Sequence, residues 1–137
     1  MERSPLLAAG ALNAAIAVAA GAFGAHALKE RLEPRALEVF DTAARYQMYH
    51  ALAMVLCALL VTSGARTAGW IFQVGILLFS GSLYVLALTD MKSLGVITPF
   101  GGLGFLAGWG YLAWSAARAQ REALPKGSAV ESSAAKR

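Results

Sequence analysis

Four stretches of the chain carry no charged side chain, residues 4–28, 46–65, 67–89 and 93–117, and the charged residues are bunched between and after them. The stretches hold 25, 20, 23 and 25 residues. A helix rises about 1.5 Å per residue and a bilayer's hydrocarbon layer is about 30 Å thick, so each stretch is long enough to cross. The pattern predicts an all-α integral membrane protein, an antiparallel four-helix bundle with spans at about 6–28, 46–61, 68–88 and 98–117. Between the first two spans Pro34 suits the first turn of a helix. Beyond it Leu37, Phe40, Ala44, Met48 and Ala51 recur at steps of three and four, with Glu38, Asp41 and Arg45 on another face. Residues 34–45 are therefore expected to form an amphipathic lead-in to the second span, with Asp41 and Arg45 as an i,i+4 pair. A short polar turn, TSGART, precedes the third span, and Thr98 with Pro99 reads as a cap and first-turn proline opening the fourth. Residues 118–137 read as a polar, disordered tail.

Composition strengthens the membrane assignment. Of the 137 residues, 58% are hydrophobic and 15% charged, with a mean hydropathy of +0.56, and a soluble domain of this size has no interior large enough for that content. The first stretch exceeds the apolar core of about 7–15 residues typical of a secretory signal and is followed by three more spans, so it reads as a span itself. The formal charge of +4 is read as basic flanks at membrane edges, with no nucleic-acid partner. Cys57 is the single cysteine, which rules out a disulfide within the chain. The side carrying the N-terminus, the 62–67 turn and the tail holds seven Lys and Arg, against five on the other side, which orients both termini to the cytoplasm.

Polar residues inside the spans are the candidate chemistry, because a bilayer makes them costly unless they bond across helices or line a path. Counted from the ends of the apolar stretches, His26, Tyr46, Gln47, His50 and Tyr84 gather toward the side of the 29–45 and 89–97 connectors. His26 and His50 are placed where a helical hairpin could bring them together, which would suit a quinone, haem or lipid. Asn13 and Gln73 stand apart in the opposite half. Small residues at Gly21, Gly24, Gly81, Gly104 and Gly108 are expected at close helix contacts, the last two as a GxxxG pair. Trp70, Trp109 and Trp114 read as interface anchors, and Cys57 as packing. No metal-ligand spacing, nucleophile motif, phosphate loop or carboxylate pair within a span is present, so no catalytic residue is assigned and no cofactor specified.

The segments GAFGAHALKERL (21–32), FDTAARYQMYHALA (40–53), GILLFSGSLYVLAL (75–88) and ITPFGGLGFLAGW (97–109) together resemble domain-of-unknown-function family 423, which includes the animal transmembrane protein 256. The resemblance implies a four-helix protein of the bacterial inner or the mitochondrial membrane and adds no activity. Carried onto this chain, the family-like positions are Gly21, Gly24, His26, Tyr46, Gln47, Tyr49, His50, Ser80, Gly81, Tyr84, Thr98, Pro99 and Gly101, which coincide with the connector-side cluster. The expected role is a non-enzymatic structural or accessory component of the lipid bilayer, associating with itself or with a membrane complex. Ligand binding through His26 and His50, and a small oligomeric transporter, are the alternatives.

Overall fold

The computed structural model describes residues 4–60 and 62–123. Four helices account for nearly all of them. Helix α1, Pro5–Phe23, is started by Ser4, whose hydroxyl accepts from the Leu7 amide at 3.3 Å, and runs on into a π-helical turn, Gly24–Leu28. Pro34 opens α2, Pro34–Leu59. Thr62 caps α3, Ser63–Thr89, by accepting from the Ala65 amide. Asp90, at φ 54, ends α3 in the left-handed region that a short polar side chain tolerates. A short 3₁₀ segment, Lys92–Val96, then leads to α4, Thr98–Ala123. Three of the four, α1 with its π turn, α3, and α4 with its 3₁₀ lead, are long and apolar enough to cross a membrane.

Several boundaries differ from expectation for identifiable reasons. Helix α3 begins at Ser63 because Thr62 supplies the cap, so most of the TSGART segment is helix rather than turn. Thr98 does not cap α4; its hydroxyl bonds the Ser82 hydroxyl at 2.7 Å and so ties the start of α4 to α3. Residues 118–123 of the expected tail are the last turns of α4, held by an Arg118–Glu122 pair four residues apart. Residues 124–137 lie outside the described region, as does Val61 at the expected end of the second span.

Sequence neighbours are spatial neighbours, α1 on α2, α2 on α3 and α3 on α4, while α1 and α4 form no packed pair. The cross-section is thus a row bent around α3: 33% of α3's apolar stretch is buried, against 22% for α1 and 17% for α4. Large apolar side chains such as Leu12, Val18, Leu77 and Leu106 point outward, as a lipid-facing surface requires.

The α3–α4 seam is built from phenylalanines over glycines. The rings of Phe72 and Phe105 cover Gly108 and Gly75, so closely that a Cβ on Gly108 or Gly75 would stand 2.5 or 2.6 Å from the facing ring, and Gly101 lies directly against the backbone of Phe79. The spacing of 72, 75 and 79 on one helix mirrors that of 101, 105 and 108 on the other, the three-and-four register of knobs-into-holes packing. Gly69 is equally tight under Leu6, and Gly10 and Gly24 are less so under α2, at 3.0 and 3.2 Å. Of the glycines expected at close contacts, Gly108 and Gly24 each lie under a phenylalanine ring of a neighbouring helix. Gly104 is in ordinary contact with Gly75, whereas a Cβ on Gly21 or Gly81 would meet nothing within 4 Å.

Two apolar cores result. One, at the Leu6 end, contains Met54, Cys57, Phe72, Ile76 and Phe105; the other, at the connector end, contains Leu28, Phe40 and Ala87. Cys57 packs there at 2% exposure.

Candidate functional site

Between the two cores lies a layer of polar side chains from three helices. Asn13 on α1 donates through Nδ2 to Oε1 of Gln73 on α3 at 2.8 Å and to its own helix's Ala9 carbonyl at 2.9 Å. Its Oδ1 accepts from Gln47 Nε2 of α2 at 3.1 Å. Gln47 Oε1 in turn accepts from the Tyr84 hydroxyl of α3 at 2.8 Å. One chain of bonds thus joins α1, α2 and α3, and the buried amides of Asn13 and Gln47 bond three and two partners, as burial in an apolar surround demands.

His50 sits on the α4 side of this layer. Its ring lies parallel to Phe105, centroids 3.4 Å apart and planes within 6°, with Phe72 tilted against it. Nδ1 is 2.8 Å from the Tyr46 carbonyl, which can only accept, so Nδ1 carries the hydrogen. Nε2 accepts from the Trp109 indole at 3.3 Å. Both ring nitrogens are occupied, and the imidazole is held in the neutral Nδ1–H form.

Of the five residues expected to gather, the structure joins Gln47 to Tyr84 and places Tyr46 beside His50, the two rings stacked with centroids 6.2 Å apart. His26 is not among them. The contacts fix the pairing of α1 with α2: Gly24 faces Phe40, Asn13 faces Gln47 and Gly10 faces Ala51 and Met54. His50 therefore lies level with about residue 12 of α1, and His26 is roughly 20 Å further along at about 1.5 Å per residue. It is exposed on the π turn. The expectation that the two histidines could meet is overturned because α2 begins at Pro34 and pairs with α1 along its whole length. Residues 34–45 lie beside the second half of α1 rather than leading in from outside. Asn13 and Gln73, set apart by counting depth from the ends of the apolar stretches, belong to the network for the same reason. Trp109, expected as an interface anchor, is the hydrogen-bond donor to His50; Trp70 and Trp114 are outward and partly exposed.

Paired histidine ligation of haem or a metal does not fit this geometry, since His50 has no free nitrogen and His26 is far from it. Among the described residues no group of three His, Cys, Asp or Glu side chains is placed to hold a metal ion. Open space lies at the connector end. A cleft of about 950 Å³ between α2 and α3 is walled by Val39 and Leu86 and rimmed by Arg31, Arg35 and Lys92 with Glu33 and Asp90. A smaller one of about 280 Å³ lies between Gly21 and Gly24 of α1 and Glu38 and Asp41 of α2.

A largely apolar exterior, long antiparallel helices and an internal layer of bonded polar groups define a polytopic α-helical membrane protein. The chain belongs to the family described as "Protein of unknown function (DUF423)", which matches residues 20–102. It is 50% identical over 105 residues to a UPF0382 membrane protein of Staphylococcus aureus (strain bovine RF122 / ET3-1), covering 73% of this chain and 84% of that one. It is 46% identical over 105 residues to the UPF0382 membrane protein YwdK of Bacillus subtilis, covering 73% and 85%. No solved structure matches the chain.

Proposed function

We propose that this chain is a non-enzymatic structural or accessory component of a bacterial inner membrane, with both termini in the cytoplasm, acting by association within the bilayer. The observation that carries this reading is the self-sufficiency of the polar layer: Asn13, Gln47, Tyr84 and both nitrogens of His50 are bonded within the bundle, and among the described residues the buried side-chain polar atom left without a partner is the neutral hydroxyl of Ser80. Apolar cores on both sides of that layer support the same reading over a transporter, which needs a polar path through.

The test is an absorbance spectrum with native mass spectrometry of the protein in mild detergent. The expected species is the chain with bulk lipid and no chromophore, unchanged in His26→Ala. A stoichiometric quinone, haem or metal that is lost in the folded His26→Ala/His50→Ala variant overturns it.

Lipid is a second reading, favoured by the cleft between α2 and α3, whose three cations stand at its membrane-edge rim above apolar walls. Arrangements of that kind suit anionic headgroups.

A further inference from the structure

The helix pairings fix the depth of every charge in the bundle. Charged residues bound the apolar stretches of three helices at consistent levels: Lys29 after α1, Asp90 after α3 and Lys92 before α4 on the connector side. Helix α2 does not respect that boundary. Tyr46 packs on Phe79, and Cys57 on Gly69, so Arg45 lies level with about residue 81 of α3. Arg45 is then roughly 13 Å inside the level of Asp90, and Asp41 roughly 7 Å, at about 1.5 Å per residue. Both point outward, with side-chain exposures of 58% and 55%, and bond each other along the helix. An ionised pair facing lipid at that depth is unfavourable unless something polar covers it.

The same outward stripe continues below the charges as Tyr49, Leu52 and Leu56. From Arg45 onward the steps are four, three and four, the spacing of a helix-pairing seam. Beside the charged part the open cleft exposes Gly21, where an added Cβ would meet nothing within 4 Å.

We infer that this face of α2 receives a second copy of the same chain, across a two-fold axis along the membrane normal, with Asp41 and Arg45 of each copy exchanging partners. The inference rests on the accessory reading above and names the partner. Charge complementarity commits it to a copy in the same orientation. Side chains tilt toward the N-terminus of their helix, so Arg45 reaches up to the level of Asp41 on its own helix and on a parallel neighbour alike. One acid and one base per copy then make a four-charge ring satisfied by symmetry, and the apolar seam below it closes with itself.

The experiment uses the full chain in lipid nanodiscs or native membranes. Wild-type protein should be dimeric by native mass spectrometry. Leu52→Cys in a Cys57→Ala chain should cross-link to itself. Asp41→Lys and Arg45→Glu, each with helix content retained by circular dichroism, should each weaken self-association about tenfold or more, equivalent to about 1.4 kcal/mol. The two variants co-expressed with different tags should co-purify as a mixed dimer, an outcome that an ion pair confined to one helix does not produce. A monomeric wild type, self-association undiminished in both variants, or failure of the mixed pair overturns the inference. A monomeric chain that holds a different membrane protein overturns it too, while leaving the accessory reading in place.

Discussion

Helix α3 is held by different means on its two sides. Toward α1 and α2 it is fixed by directional bonds, Gln73 to Asn13 and Tyr84 to Gln47, added to the one close glycine contact of Gly69 under Leu6. Toward α4 it is fixed by shape, three phenylalanines over three glycines, with one hydroxyl pair at the end of the seam. Because lipid tails are as apolar as the side chains they replace, burial alone gives little net drive for helices to associate. The protein uses both remaining devices, polar bonds that are strong only when aligned and close packing that works only when helices approach without Cβ atoms between them. The first tolerates small changes of volume and punishes a lost atom. The second does the reverse.

The sharpest way to break the comparison is to add volume on the shape-held side. Gly108→Leu should displace Phe72 and cost more than about 3 kcal/mol, enough to separate α4, while Gly108→Ala should cost about 1–3 kcal/mol, read as reversible unfolding in mixed micelles. Next comes Gln47→Leu, which keeps volume and strands the Asn13 oxygen and the Tyr84 hydroxyl; the expected loss is about 1–2 kcal/mol. Tyr84→Phe removes one bond and should cost about 0.6 kcal/mol. Smallest is Gly21→Ala, whose Cβ meets nothing within 4 Å and should change monomer stability by less than about 0.5 kcal/mol. If Gln47→Leu were harmless and Tyr84→Phe as well, the polar layer would be incidental and shape would hold both sides.

Much of this fold was legible before any coordinates. The uncharged stretches and their bounding charges identify the helices, since the bilayer leaves few other ways to satisfy a backbone. The pairing of Gln47 with Tyr84 was also within reach of the pattern, because polar side chains in apolar stretches have few alternatives to one another, whereas His50 turns instead to Trp109 of α4. What the pattern does not contain is the register between helices. The second uncharged stretch starts at Tyr46, yet the helix starts at Pro34, and those twelve residues shift the pairing of α1 with α2 by about three turns. That single shift separated His26 from His50 and brought in Asn13 and Gln73. Gly21 and Gly81 were misplaced for a related reason: Gly75 and Gly101 have the same composition context, and only what faces them distinguishes them, the Phe105 ring for Gly75 and the Phe79 backbone for Gly101.

The interlock of Phe72, Gly75 and Phe79 with Gly108, Phe105 and Gly101 also governs how this sequence can drift. A larger residue at Gly108 or Gly75 finds its place already filled by a ring from the opposite helix, so tolerated change there must come as an exchange across the seam, a bulky side chain shrinking where its partner grows; at Gly101 the place is filled by the backbone of Phe79, which no exchange of side chains relieves. Related chains that differ at position 108 should differ at 72 in the opposite sense, and likewise for 75 with 105, whereas 101 should stay glycine whatever stands at 79. No such reciprocity is expected between positions 13 and 47, where a side chain of similar size without the amide breaks the bonds whatever its partner does.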